Sequence, residues 1–199
     1  MPMAFPNPRN ASPDPKFKNL PDPAPISFFH PMTLADFTSL DLILPDLRGH
    51  DAASAIQELS QALQRGKKIA DLLPFYHAAL NHEFLVGSDS ESGLAFPHAR
   101  VPDLKEPSFA MGRSQKPLDW GSKTFRPVRL VFLIAVPATD SSRYLLLNSA
   151  LGRLASDGRL VEKMHSAREG FQMLAVLREI KFREVKKWPL GKTPSQDNG

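Results

Sequence analysis

The chain contains no cysteine among its 199 residues. This absence excludes disulfide bonds, thiol nucleophiles and cysteine-ligated zinc sites, and it agrees with a cytoplasmic location. Long apolar runs are missing too, because no stretch approaches the roughly 18 apolar residues that a membrane-spanning helix needs. The N-terminus lacks the apolar core of a secretory signal. We therefore expect no membrane span.

Several motifs of nucleotide, metal and hydrolase sites are also absent. The sequence has no Walker loop, no dinucleotide fingerprint, no G-x-S-x-G elbow and no H-E-x-x-H pair. We therefore expect neither a cofactor nor a metal site. The net charge of +4 is mild and both signs are interspersed, so the composition gives no reason to expect a nucleic acid partner.

Proline is unevenly distributed along the chain. Nine of the 19 prolines fall within the first 31 residues, where regular hydrogen-bonded structure is disfavoured. We interpret residues 1–30 as an extended or disordered arm and residues 186–199 as a polar tail. One domain, over residues 32–183, is expected between them, since a chain of this length can bury a sizeable core.

Helical and strand patterns are mixed in this domain. The most strongly predicted strand is 127–137, whose near-continuous apolar character is typical of a strand buried on both faces. Five helices are expected, with N-terminal capping by Asp51, by Asp71, and by a Ser166–Glu169 capping box before the last one. The predicted class is α/β or α+β, with helices packed over one central sheet.

The segment "GLAFPHAR", residues 93–100, places a histidine directly after a proline. One interpretation is a surface histidine at the end of a strand. The other is a nucleophile, because Pro97 stiffens the backbone before His98 and a neutral imidazole can attack an electrophile. Gly93 permits close backbone approach nearby, and Arg100 could pair with an incoming phosphate or face solvent.

Four stretches together resemble a known family. They are "LILPDLRGHDAASAIQELSQAL", "GLAFPHAR", "KPLDWGSKTFRPVRLVFLIAVP" and "YLLLNSALGRLASD". In this order they resemble the type 2 enzyme IIA domain of the bacterial phosphotransferase system, the fructose, mannitol and nitrogen-regulatory group. The resemblance extends over residues 32–183 and implies an α/β class, a single domain with a small mixed β-sheet flanked by helices on both faces.

The resemblance also implies a role for His98. This residue would accept a phosphoryl group from the phosphohistidine of an HPr-like carrier. It would then pass the group to a IIB domain or keep it as a mark read by a regulated protein. No IIB-like cysteine and no IIC-like membrane helices are present, so a stand-alone, nitrogen-regulatory role is favoured over sugar transport.

Two positions depart from the family pattern. Members of the family usually carry an arginine, in an R-E pair, sixteen residues before the active histidine, where this chain has His82. Arginine supplies a permanent charge and a bidentate fork, and histidine supplies neither. A phosphate beside His82 would favour the charged form of the imidazole. Tyr144 stands where transport members often have a second histidine.

These departures keep other hypotheses open. The chain could be a degenerate IIA fold that binds partners without phosphoryl transfer, in which case His98 would be dispensable for binding. A phosphatase-like hydrolase using His98 is a third hypothesis, although the sequence offers no clear second acid or base.

Overall fold

The computed structural model describes residues 31–121, 127–139 and 142–182. The predicted arm, residues 1–30, and the predicted tail, residues 186–199, lie outside them. Two 3-10 helices come first, at Leu34–Phe37 and Leu40–Leu42. The strands are β1 (Ile43–Leu44), β2 (Leu94–Ala95), β3 (His98–Val101), β4 (Ser108–Arg113) and β5 (Leu130–Pro137), and the helices are α1 (Ala52–Arg65), α2 (Leu72–Val86), α3 (Ser142–Ser156), α4 (Gly158–Ser166) and α5 (Gly170–Glu179).

Strand β5 is the centre of the sheet. β4 pairs antiparallel with one edge of β5, and β1 pairs parallel with the far edge of β4. β2 and β3 both pair parallel with the other edge of β5. The sheet is therefore mixed, as the sequence predicts.

Both faces of the sheet are covered by helices. Every residue of β5 is buried, and its side chains alternate between two hydrophobic cores. Phe132 and Ile134 face the core formed with α3, α4 and α5, whereas Val131 and Leu133 face the core formed with α1 and α2. This alternation explains the near-continuous apolar sequence of the strand and confirms the predicted layered α/β architecture.

Helix α1 has the predicted bounds and cap. The Asp51 carboxylate accepts a hydrogen bond from the Ser54 backbone N–H at 2.7 Å, and Gly66 follows the last turn. Ile56, Leu59 and Leu63 are fully buried, as their helical spacing predicts.

One predicted cap lies at its expected position without its hydrogen bond, and another is wrong. Asp71 occupies the N-cap position of α2, but its side chain makes no capping hydrogen bond. Ser166 is the last residue of α4 and so cannot cap the helix that follows. Glu169 is the N-cap of α5 instead, because the side chain of Gln172 reaches back to its backbone N–H at 3.1 Å.

The predicted strand around "GLAFP" is interrupted. β2 ends at Ala95 and β3 begins at His98, so the histidine opens a strand. Pro97 has no N–H to donate to the sheet, which accounts for the break between the two short strands. Its carbonyl still accepts a hydrogen bond from the Ile134 N–H at 2.9 Å and keeps the segment attached to β5.

Candidate active site

His98 is half-buried at the start of β3, opposite Ile134 of β5. Its Nδ1 lies 3.3 Å from the carbonyl oxygen of Phe96. A carbonyl can only accept, so this hydrogen bond requires the proton on Nδ1 and leaves a lone pair on Nε2. The ring is thereby oriented with Nε2 as the nucleophilic atom.

The surroundings of His98 favour its neutral form. Burial is the largest influence and lowers the pKa of the imidazole below its ordinary value of 6.5. The Phe96 carbonyl opposes this shift, the positive charges of His82 and Arg100 add to it, and the negative charge of Glu83 opposes it. A neutral imidazole retains its lone pair near neutral pH, as a nucleophile must.

His82 packs against His98 from helix α2. The two ring centroids are 4.3 Å apart and the rings are inclined by 53°. The Nδ1 atom of His82 is buried and has no hydrogen-bond partner in the described part of the chain. The sequence spacing of sixteen residues therefore brings the two imidazoles together, as the resemblance implies.

Tyr144 approaches His98 from the first turn of α3. The ring centroids of these residues are 5.7 Å apart. Partial burial raises the pKa of the Tyr144 hydroxyl, so it stays protonated near neutral pH and can donate a hydrogen bond. His82 and Tyr144 thus both contact the His98 ring.

Arg100 follows His98 by two residues on the same strand. Its Nη1 donates to the carbonyl oxygens of Pro137 and Ala138, both at 3.3 Å, where β5 ends. The guanidinium is therefore held by backbone acceptors while its charge still lowers the pKa of His98 and of Tyr144.

Gly93 lies in the turn that precedes β2. It is buried and has a φ of 79°, a conformation that favours glycine. Its N–H donates to Ser90 and its carbonyl accepts from Arg129 at 3.0 Å. The hydrogen bonds of Gly93 shape the turn and join it to the start of β5.

A buried carboxylate next to His82 was not predicted. The Oε1 atom of Glu83 accepts hydrogen bonds from the Trp120 Nε1–H at 2.8 Å and from the Ser88 N–H at 2.9 Å. Its Oε2 atom accepts from the Ser88 hydroxyl, and the Ser88 Oγ in turn accepts from the Phe96 N–H at 2.9 Å. This network joins α2 and the loop before β5 to the peptide that holds His98.

Exposed apolar side chains lie on the two helix ends that approach His98. Phe84, Leu85 and Val86 follow His82 at the end of α2, and Leu85 is 85% exposed. Leu145 and Leu146 follow Tyr144 in α3. We call these five residues the apolar rim.

The described residues contain no group of three or more histidine, aspartate or glutamate side chains that could hold a metal ion. Within the same part of the chain, no helix has the length and apolar character needed to span a membrane.

Residues 36–180 match the family model for the phosphoenolpyruvate-dependent sugar phosphotransferase system, EIIA 2. The chain belongs to this family. The EIIA 2 match includes His82, His98 and Tyr144, together with all five strands and all five helices.

Curated EIIA 2 relatives include regulatory and transport proteins. A nitrogen regulatory protein from Bradyrhizobium diazoefficiens is 27% identical over 151 residues, which cover 73% of this chain and 95% of the relative. The fructose-specific EIIABC component from Bacillus subtilis is 27% identical over 125 residues, which cover 63% of this chain and 19% of the relative.

Solved structures share the EIIA 2 fold. The nitrogen regulatory protein IIA-Ntr from Neisseria meningitidis superposes with a TM-score of 0.61 at 23% identity, covering 72% of this chain and 98% of that one. A complex of mannitol enzyme IIA with phosphorylated enzyme IIB from Escherichia coli has a TM-score of 0.61 at 16% identity, covering 71% and 96%. At these identities the similarity concerns the fold.

Proposed function

We propose that this EIIA 2 domain is a histidine phosphocarrier with His98 as the phosphoryl acceptor. The observation that carries the proposal is the hydrogen bond from His98 Nδ1 to the Phe96 carbonyl, on a ring whose pKa is lowered by burial. Together these features give a neutral imidazole with a fixed Nε2 lone pair. The donor is a phosphohistidine on an HPr-like carrier protein.

The proposed step conserves atoms and charge without a cofactor. His98 Nε2 forms a bond to phosphorus while the bond from phosphorus to the donor imidazole breaks in line with it. The electron pair of the broken bond returns to the donor ring. The reaction needs correct positioning of the phosphoryl group and stabilisation of the negative charge spread over its oxygens, which side chains around His98 can supply.

His82 is proposed to stabilise the phosphoryl group. Its ring contacts that of His98, and a dianionic phosphoryl group beside it favours the protonated, cationic imidazole. Tyr144 can add a hydrogen bond from its protonated hydroxyl, and Arg100 adds a positive field from the end of the strand. Gly93 is assigned to the shape of the turn that leads to His98.

The apolar rim supports a protein as the phosphoryl donor. Apolar side chains exposed around a reactive group are typical of a surface that contacts another protein. Transfer between two histidines requires both rings to be shielded from water, and a partner that covers the apolar rim on these two helices would help to exclude water.

A stand-alone, regulatory role is favoured over sugar transport. Relatives matched over 95% or more of their own length include both a nitrogen regulatory protein and a fructose-specific EIIA component, so coverage supports a stand-alone domain of either kind. The preference for regulation rests on the absence of a IIB-like cysteine and of IIC-like membrane helices from this sequence. The phosphoryl group would then be passed to a IIB domain or retained as a signal for a regulated protein. A cytoplasmic location, in agreement with the lack of cysteine, is part of this proposal.

The proposal is tested by intact mass after incubation with phosphoenolpyruvate, enzyme I and HPr from the same organism. We expect an acid-labile gain of one phosphoryl group on the native protein and none on His98→Ala. A folded native protein that gains no mass would contradict the proposal. Adding a IIB domain to the labelled protein would then separate transport, with rapid loss of label, from regulation, with retention.

A binding module without phosphoryl transfer is the second candidate. The observation that favours it is His82 in place of arginine, with a buried Nδ1 that has no hydrogen-bond partner among the described residues. It predicts that His98→Ala leaves partner affinity unchanged. A large loss of affinity on this substitution would favour the phosphocarrier.

A further inference from the structure

Glu83 is the buried acidic residue nearest in sequence to the histidine pair. The residue is only 6% exposed, and both of its carboxylate oxygens accept hydrogen bonds. A buried carboxylate is costly unless donors surround it, and Glu83 receives three. Trp120 contributes one and Ser88 contributes two.

The network has a fixed direction. Ser88 donates its hydroxyl proton to the Glu83 Oε2 atom. The lone pairs of the Ser88 Oγ are then directed to the Phe96 N–H. Glu83 thus determines how Ser88 presents its oxygen to the segment that carries His98.

The Phe96 carbonyl is held between two anchors. On one side the Phe96 N–H donates to the Ser88 Oγ at 2.9 Å and, at the longer distance of 3.3 Å, to the Ser88 carbonyl oxygen, which Ser88→Ala would retain. On the other side the Pro97 carbonyl accepts from the Ile134 N–H. Pro97 also fixes its own φ. The Phe96 carbonyl is thereby held in place to accept the proton of His98 Nδ1.

We propose that Glu83 is a positioning residue for His98. It fixes the tautomer of His98 through Ser88 and the Phe96 segment. The proposal rests on the proposed function for its consequence on transfer, but the tautomer of His98 can be measured without any phosphoryl donor.

The first measurement is the protonation of the His98 ring nitrogens by two-bond 15N–1H correlation spectra near neutral pH. We expect the proton on Nδ1 in the native protein. Glu83→Gln places an amide NH2 group where Oε2 was. The Ser88 Oγ then accepts a hydrogen bond from this amide, and the Ser88 hydroxyl proton no longer has the carboxylate as its acceptor. Ser88→Ala removes the hydroxyl and keeps the backbone contact to Glu83.

Both variants are expected to give a mixture of His98 tautomers and to reduce the rate of phosphorylation by about tenfold. Ser92→Ala is the matched control, because Ser92 lies in the same loop and its hydroxyl contacts that of Ser90. It should keep the native tautomer and rate. Trp120→Phe removes one hydrogen-bond donor to Glu83. Its effect on the tautomer and on the rate should lie between that of the Ser92→Ala control and that of the two test variants.

Each outcome decides the proposal. If the folded Ser88→Ala and Glu83→Gln proteins keep the proton of His98 on Nδ1, or only their melting temperature falls, the positioning role is wrong. If Glu83→Gln fails to fold, Ser88→Ala alone decides. If the native protein is never phosphorylated but the tautomer responds as expected, the positioning role stands and the phosphocarrier proposal fails.

Discussion

The imidazole rings of His82 and His98 lie 4.3 Å apart between their centroids, although the residues belong to a helix and a strand. This contact joins the proposed nucleophile to a group whose charge depends on pH. An arginine at position 82 would keep its charge throughout the physiological range, whereas the charge of an imidazole depends on pH. The contact therefore makes the proposed transfer sensitive to pH.

His82→Arg is expected to accelerate phosphorylation of His98 at pH 8 by about tenfold, which corresponds to ~1.4 kcal/mol of additional stabilisation of the transition state. The gain should be smaller at pH 6, because a lower pH favours the cationic form of an imidazole beside a phosphoryl group. The measurement is the initial rate of phosphoryl incorporation across this pH range.

His82→Gln is the control for this prediction, because it retains a polar side chain without a charge. Its rate should be low at both pH values. Equal rates for the native protein, His82→Arg and His82→Gln would show that residue 82 does not act on the phosphoryl group.

The folded protein should lose stability as the pH falls through the range just below 6.5. Burial lowers the pKa of His98, so the unfolded chain binds more protons than the folded protein in that range. Burial lowers the pKa of His165 in the same direction. Urea unfolding at pH 7.5 and pH 5.5 should therefore show a higher midpoint at pH 7.5.

His98→Gln should reduce that difference, because it removes one of the two groups, and His165 should account for part of what remains. His77→Gln changes an exposed histidine of α2 and should leave the native difference in place. A native difference that survives in His98→Gln without reduction would contradict the prediction.

Tyr144→Phe is expected to reduce the phosphorylation rate about fivefold while preserving the fold. The phenyl ring keeps the packing against His98 and the core, but the hydroxyl that could bind the phosphoryl group is lost. Tyr76→Phe changes the other tyrosine of the chain, on α2, and should have no effect on the rate. If both variants are phosphorylated at the native rate, the Tyr144 hydroxyl has no role in the transfer.

Gly93→Ala should destabilise the protein by about 1–2 kcal/mol, because an alanine at a φ of 79° brings its Cβ close to the backbone. Gly152→Ala is the contrasting substitution. Gly152 lies inside α3 with open space around its Cβ direction, so alanine should stabilise that helix by about 0.5–1 kcal/mol. Chemical denaturation of both variants measures the two opposite changes.

The architecture followed from apolar patterning and from the family resemblance. The β5 sequence alternates between two cores, so its apolar run was sufficient to predict a central buried strand. The buried residues of α3 likewise recur at helical spacings of three and four, namely Leu147, Ala150, Leu151 and Leu154. Local patterns of this kind are determined by which face of an element is buried.

The caps and the network were harder to predict because they depend on local competition and on distant partners. Gln172 competes for the backbone that Ser166 was expected to bind, and nothing in the spacing distinguishes the two. Glu83 and Trp120 are 37 residues apart in the sequence and meet only in the folded protein. Two features of the sequence were the available signal. Glu83 directly follows the candidate histidine at position 82, and Trp120 lies in the stretch "KPLDWGSK" that contributes to the family resemblance.

The position of β5 between its two neighbours also has a consequence for amide hydrogen exchange. Its backbone is bonded on both edges and its side chains fill both cores, so its amides, including that of Ile134, should exchange only through global unfolding. In the last turn of α2, Glu83 is anchored by its hydrogen bonds to Trp120 and Ser88, so local fluctuations should be confined to the three exposed residues that follow it. His98 would then be held against the slowest-exchanging strand of the described chain, while the exposed apolar end of α2 remains free to adapt when another protein arrives.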